Sequence, residues 1–159
     1  MIQSVWRILR DADDADDALQ CALATLWKQW DKLRSHINPE ALVLRVCIDA
    51  AYDQLRKRLR QQRLNQSKAE TNTDATTAPS PLIEQEETER EIMQAIAALP
   101  GKQRTATYFR LVEGRPYGAV AAALGCGEST ARKHVARGRR RLQDTLAHLA
   151  PTQGKVRKP

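Results

Sequence analysis

From Arg132 to Arg141 the chain carries six basic side chains: Arg132, Lys133, Arg137, Arg139, Arg140 and Arg141. Guanidinium and ammonium groups at this density suit phosphates and base edges, not bond-making chemistry. The surrounding stretch, Pro116 to Leu142, reads PYGAVAAALGCGESTARKHVARGRRRL and supplies two short helices to position them. In the first helix Val120, Ala123 and Leu124 share an apolar face, and Ala121 is small enough for close helix approach. Gly125 supplies a turn where a positive φ costs little. Glu128, Ser129 and Thr130 open the second helix, where short hydroxyl side chains cap or meet phosphate. Ala131, Val135 and Leu142 keep an apolar stripe along it while the basic residues face elsewhere. This is the layout of a helix-turn-helix whose second helix enters a major groove. An amphipathic hairpin with a solvated basic face is the plainer alternative.

Other chemistries find little support. Asp13, Asp14, Asp16 and Asp17 crowd about one and a half helical turns and diverge, with no partner His or glycine-rich phosphate loop. Cys21, Cys47 and Cys126 are far apart, and His36, His134 and His148 complete no metal-ligand spacing. The reading is therefore of no catalytic residues, no metal and no cofactor, with the cysteines as reduced thiols. Lys and Arg total 26 against 19 acids, a net charge of +7 that favours a polyanionic partner. Aromatic residues are only 4% of the chain, so its cores are expected to be rich in Leu, Ala and Val, and helical. No run reaches the roughly 18 apolar residues of a membrane span, and no signal-peptide pattern opens the chain, which points to the cytosol.

Two helical halves are expected to flank a polar tether. QSKAETNTDATTAPSP, residues 66–81, has almost nothing to bury and contains prolines that break regular structure. In the first half Ile2, Val5, Trp6 and Leu9 are expected to form one face of an opening helix. Acids at Asp11–Asp17 begin the next, whose predicted apolar face is Ala15, Leu19, Ala22, Leu23, Leu26, Trp27, Trp30 and Leu33. After a break at Ser35–Pro39 with Asn38 as cap, a third helix from Glu40 to Gln62 buries Leu44, Ile48, Ala51, Leu55 and Leu59. The second half opens with an acid-rich helix whose core side is Ile92, Ile96 and Leu99. A helix over Lys102–Val112 follows, contributing Tyr108, Phe109, Leu111 and Val112 before the helix-turn-helix. Each half begins acidic and ends basic, which reads as a two-point grip on one long polyanion.

Taken together, the halves resemble a bacterial RNA polymerase sigma factor of the extracytoplasmic-function (ECF) type, within the sigma-70 superfamily, reduced to regions 2 and 4. Asp14-Ala15-Asp16-Asp17-Ala18-Leu19-Gln20 resembles the acidic D-A-E-D-x-x-Q signature of region 2. Residues 41–60, ALVLRVCIDAAYDQLRKRLR, are similar to its W-L-x-x-I-A-x-N-x-x-x-D-x-x-R helix, with Asp53 and Arg56 matching the Asp and Arg. Leu99, Pro100 and Arg104 resemble the L-P-x-x-x-R opening of region 4. Tyr117, Val120, Ala121, Leu124, Gly125, Thr130 and Arg137 fit its helix-turn-helix pattern. Departures are Asp49 where the pattern has Asn, Leu42 where Trp is common, Cys21 for an acid, and Gly118 for a helix former. Met1 also falls inside the first region 2 helix.

The resemblance implies an all-α fold of two small helical domains. A region 2 bundle occupies 1–63, shortened at its N-terminus; a flexible linker spans 64–82; a region 4 four-helix domain spans 83–149; and a disordered basic tail spans 150–159. It implies a factor that binds core RNA polymerase through the β′ and β subunits and directs promoter recognition and transcription initiation, with an anti-sigma factor as a further partner. It places polymerase docking on Asp14, Asp16, Asp17 and Gln20. Contact with the melted minus-ten element falls to Arg56, Arg58 and Arg60, with the loop Arg34–Asn38 holding a flipped base. Duplex reading at the minus-thirty-five element falls to Glu128, Ser129, Thr130, Arg132, Lys133 and Arg137. Two other readings remain: a helix-turn-helix regulator that dimerises through Asp13–Leu33, and a sigma-like protein unable to open promoters.

Overall fold

The computed structural model describes residues 2–68 and 81–149, and among these there is no strand. The tail 150–159 and the tether between 69 and 80 lie outside the described residues. Eight helices follow in order: α1 Ile2–Leu9, α2 Ala12–Lys28, α3 Trp30–Arg34, α4 Pro39–Lys68, α5 Pro81–Ala97, α6 Gly101–Thr107, α7 Tyr117–Leu124 and α8 Glu128–Thr145. A π-helical turn, Tyr108–Val112, extends α6, and a 3₁₀ turn, Ala147–Leu149, follows α8.

The starts of the helices follow from their caps. The Asp11 carboxylate accepts from the Asp14 N–H at 2.9 Å, and Asp13 and Asp14 lie in the first turn of α2, where the helix dipole favours them. Asn38 caps α4 by accepting from the Ala41 N–H at 3.0 Å, with Pro39 at the first helical position, as expected. That helix then runs to Lys68, beyond the expected end at Gln62. The predicted single helix over Lys102–Val112 instead changes pitch at Tyr108, where the Glu113 N–H reaches back five residues to the Tyr108 carbonyl at 3.1 Å. Within this wider turn Tyr108 and Phe109 are both buried and Leu111 faces out.

α4 is the central strut, packed along α2 and against α1, α5, α6 and α7. α2 meets it through Ala15, Ala18, Ala22 and Leu26. Leu23, Trp27 and Trp30, expected in the core, are exposed, Trp27 at 78%. Alanines let two backbones approach closely, and the bulky residues sit on the neighbouring stripe of the same helix, turned away. On α1 the buried set is Ser4, Val5, Ile8 and Leu9, while Ile2 and Trp6 lie outside. Of the cysteines, Cys47 is buried and its thiol pKa is raised by that burial; Cys21 is exposed and Cys126 half-buried.

One apolar core continues from α1, α2 and α4 into α5–α8. The seam between the halves is also polar. Arg104 of α6, its side chain only 6% exposed, places Nη2 at 3.6 Å from both Asp49 and Asp53 of α4. Its guanidinium lies over the Tyr52 ring, 5.5 Å from the centroid. Thr105 donates to Asp49 at 2.8 Å, Arg45 donates to the Ala123 carbonyl at 3.1 Å, and Arg10 pairs with Glu89. Tyr52 and Tyr108, both fully buried, meet edge to face at 5.8 Å. The Tyr108 hydroxyl lies 3.3 Å from the Ser4 carbonyl and 3.1 Å from the Glu113 carboxylate, which also accepts from Ser4 Oγ at 2.8 Å.

Two outcomes follow from this seam. Arg104→Ala leaves the Asp49 and Asp53 carboxylates without their buried partner and should lower stability by about 1–3 kcal/mol in urea titration. Asp49→Asn should cost less, since Asp53 remains. Burial raises the phenol pKa of Tyr52 and Tyr108, with the Glu113 carboxylate adding to the rise at Tyr108. A raised folded pKa stabilises the protein fully below the unfolded value of about 10, and that contribution is lost as pH climbs beyond it. The urea midpoint should therefore fall above about pH 10, and Tyr52→Phe with Tyr108→Phe should flatten that fall.

Candidate nucleic-acid and polymerase interfaces

α7 ends where Gly125 adopts φ 61°, ψ 44°, its N–H turned back to the Ala121 and Ala122 carbonyls. The left-handed conformation favours glycine and reverses the chain into α8 within two residues. α8 buries Ala131, Val135, Gly138 and Leu142. His134 is half-buried, while Ser129, Thr130, Arg132, Lys133, Arg137, Arg139, Arg140 and Arg141 are all exposed. Close approach to α6 depends on Gly138, because a Cβ there would sit 2.0 Å from Thr107 Oγ1 and 3.3 Å from Thr107 Cβ. Thr107 is itself fully buried. The outward basic face of α8 is thus set by a glycine fitted against a threonine.

Within that surface Glu128 pairs with Arg132 at 3.4 Å. Gly118, which departs from a helix former, leaves room for this glutamate: a Cβ at 118 would lie 3.1 Å from Glu128 Oε1. Arg132 also stacks on Tyr117, 4.3 Å from the ring centroid, and Arg110 approaches the same ring at 4.8 Å.

The first half presents a second surface. Asp16, Asp17, Gln20, Leu23, Trp27 and Trp30 are exposed. Residues 16, 20, 23 and 27 follow helical spacing, so one stripe runs from acidic to apolar. Trp27 and Trp30 lie beside each other at 6.3 Å, and Ile37 in the following loop is 94% exposed. Sequence reasoning assigned these aromatics to the core; the 16/20/23/27 spacing was the available signal for a separate face. In the loop, His36 Nδ1 lies 2.8 Å from the Asn38 carbonyl and 3.1 Å from its N–H nitrogen.

The remaining expected site residues divide. Asp14 and Arg58, assigned to different surfaces, are brought to each other at 2.7 Å. The other Asp14 oxygen accepts from Gln54 at 2.8 Å, and Arg58 also donates to the Leu9 carbonyl at 3.1 Å. Arg56 and Arg60 are exposed; Arg56 lies 4.0 Å from Asp53, and Arg60 has no ion pair among the described residues. Among the described residues no cluster of three or more His, Cys, Asp or Glu is placed to hold a metal ion. No helix among them is long and apolar enough to cross a membrane.

Residues 2–61 match the family model for sigma-70 region 2, and residues 89–142 match that for sigma-70 region 4. An RNA polymerase sigma-E factor of Streptomyces antibioticus is 30% identical over 139 residues, covering 87% of this chain and 74% of the relative. The chain belongs to the extracytoplasmic-function sigma factors. The sigma-E factor of Streptomyces coelicolor is 27% identical over 92% of this chain and 79% of its own. The ECF sigma factor SigM of Mycobacterium tuberculosis is 28% identical over 88% of this chain and 68% of its own. A solved structure of the sigma factor RpoE in complex with the anti-sigma factor NepR from Bartonella quintana is 24% identical, spanning 92% of this chain and 89% of that one at a TM-score of 0.49. A sigma factor binds core RNA polymerase and promoter DNA to begin transcription, and these relatives are initiation factors. In those terms α2 and α4 belong to region 2, and α7 and α8 form the helix-turn-helix of region 4.

Gly138→Ala should disturb the seat of α8 directly. The overpacked contact with Thr107 is expected to cost about 1–3 kcal/mol, read as a lower thermal midpoint.

Proposed function

We propose that this sigma factor divides its work between the two exposed faces described above. The exposed basic side of α8 carries the reading: a groove-sized helix, anchored by its apolar stripe, presents arginines and a lysine without burying them. Arg132, Lys133 and Arg137 contact base edges or phosphates of the duplex upstream element, with Glu128, Ser129 and Thr130 at the entering end. An arginine bidentate to guanine discriminates between base pairs by about 1–3 kcal/mol. Arg139–Arg141 add phosphate contacts that carry no sequence information.

Polymerase docking falls to the exposed stripe of α2. Asp16, Asp17 and Gln20 suit a basic helical partner, and Leu23 and Trp27 extend the same stripe with apolar area of the kind that anchors interfaces. Asp14 has the least to offer, since both its oxygens are engaged within the fold. Arg60, and Arg56 with only a 4.0 Å exposed pair to Asp53, neutralise phosphates of the opened strand, with Arg58 in support once released from Asp14. The loop Arg34–Asn38 beside Trp30 takes the flipped base, for which exposed aromatic rings supply stacking. These roles place the chain in the cytoplasm.

Purified core polymerase should form a stable 1:1 complex with the chain and give run-off transcripts whose mapped starts define the promoter. Failure of any complex to form would sink this reading; a complex without transcripts would mean binding without promoter opening. Asp16→Asn, Asp17→Asn and Trp27→Ala together should weaken polymerase binding and leave duplex affinity alone. Arg132→Ala with Arg137→Ala should do the reverse, reducing the slope of log affinity against log salt by about one to two.

A further inference from the structure

One arginine of α8 rests on a side chain from outside that helix. Tyr117 opens α7, half-buried, and two guanidinium groups from different elements lie against its ring: Arg132 of α8 at 4.3 Å and Arg110 of the π-helical turn at 4.8 Å. Each is held by a second contact. Arg132 pairs with Glu128 at 3.4 Å, and Arg110 donates to the Arg115 carbonyl at 3.0 Å. The change of pitch at Tyr108 rotates Arg110 relative to a continuous α-helix. The Tyr117 hydroxyl has no hydrogen bond among the described residues, so the contact belongs to the ring face.

The charge balance at this cluster is uneven. Glu128 answers Arg132, but neither Arg110 nor the exposed Arg115 pairs with a carboxylate among the described residues. The ring therefore carries one guanidinium answered by Glu128 and a second, Arg110, whose charge is open to an anion from outside. A duplex presented to α8 brings phosphates to the same end of the helix-turn-helix. Base reading also demands a fixed guanidinium plane, and an exposed arginine stacked before binding loses less conformational freedom on binding.

We infer that Tyr117 is a positioning residue for Arg132, and that Arg110, held on the same ring, is a phosphate contact of the bound duplex. The footprint of region 4 then extends beyond α8 to the turn that precedes α7. This inference rests on α8 facing duplex DNA.

The test uses the full chain and two duplexes, one carrying the upstream element found by mapping transcript starts and one with that element scrambled. Tyr117→Leu should lower affinity for the first by 3- to 10-fold and shrink the ratio between the two, while Tyr117→Phe, which keeps the ring, restores both. Tyr117→Leu should shrink the ratio no further once Arg132→Ala is present, because both remove the same source of discrimination. Arg110→Ala should weaken both duplexes alike and reduce the salt slope by about 0.9. Tyr117→Leu with an intact melting transition and unchanged discrimination overturns the positioning role, and an unchanged salt slope for Arg110→Ala overturns the phosphate contact. Should Tyr117→Leu not fold, discrimination by Tyr117→Trp decides in its place: the larger ring must keep it, and its loss in a folded Trp variant overturns the role. If Arg132→Ala with Arg137→Ala is also without effect, the assignment of α8 itself has failed, not this addition to it.

Discussion

The guanidinium of Arg104 joins the two halves of the chain. Asp49 and Asp53 lie one helical turn apart on α4, and Arg104 reaches both at 3.6 Å with the Tyr52 ring against it. A charge this buried is tolerable only with opposite charge nearby, so α6 has to lie along this face of α4. Around it, Thr105 shares Asp49, Tyr108 meets Tyr52, and Arg45 caps the end of α7 through Ala123. The negative charge at Asp49, where the family pattern has Asn, is thereby answered from both sides: Arg45 on its own helix at 3.5 Å and Arg104 across the seam.

Small residues decide which faces are left outward. Ala15, Ala18 and Ala22 draw α2 onto α4, and the bulky neighbours Leu23 and Trp27 are left outside as a consequence. Gly138 does the same for α8 on α6, leaving the arginines to solvent. Both outward faces thus result from close helix contact on the opposite side. Neither needs a loop to hold its residues in place.

Local features were the legible ones. Gly125 needed no tertiary information, because a helix that stops at a glycine after an alanine-rich apolar run reverses by its own backbone preference. The stripe Ala131, Val135, Leu142 could be read from spacing alone. α2 misled because two adjacent stripes are both apolar at helical spacing, and periodicity does not say whether alanines or tryptophans meet the neighbouring helix. The pairings of Asp14 with Arg58 and of Asp49 with Arg104 join distant parts of the chain. Asp14, Asp49 and Arg104 stood out in the sequence as motif positions and Arg58 as part of a basic helix end, but neither signal names a partner. The π-helical turn at Tyr108–Val112 had no composition signal.

The seam also carries an unmet polar demand. Among the described residues, Nε and Nη1 of Arg104 are buried without a hydrogen-bond partner, so only the Nη2 side of the guanidinium faces the two carboxylates. A buried donor left unpaired costs about 1–3 kcal/mol. Part of the attraction between Arg104 and the two aspartates is therefore offset by the desolvation of its own N–H groups, and the join between the halves is weaker than the burial of its charge suggests.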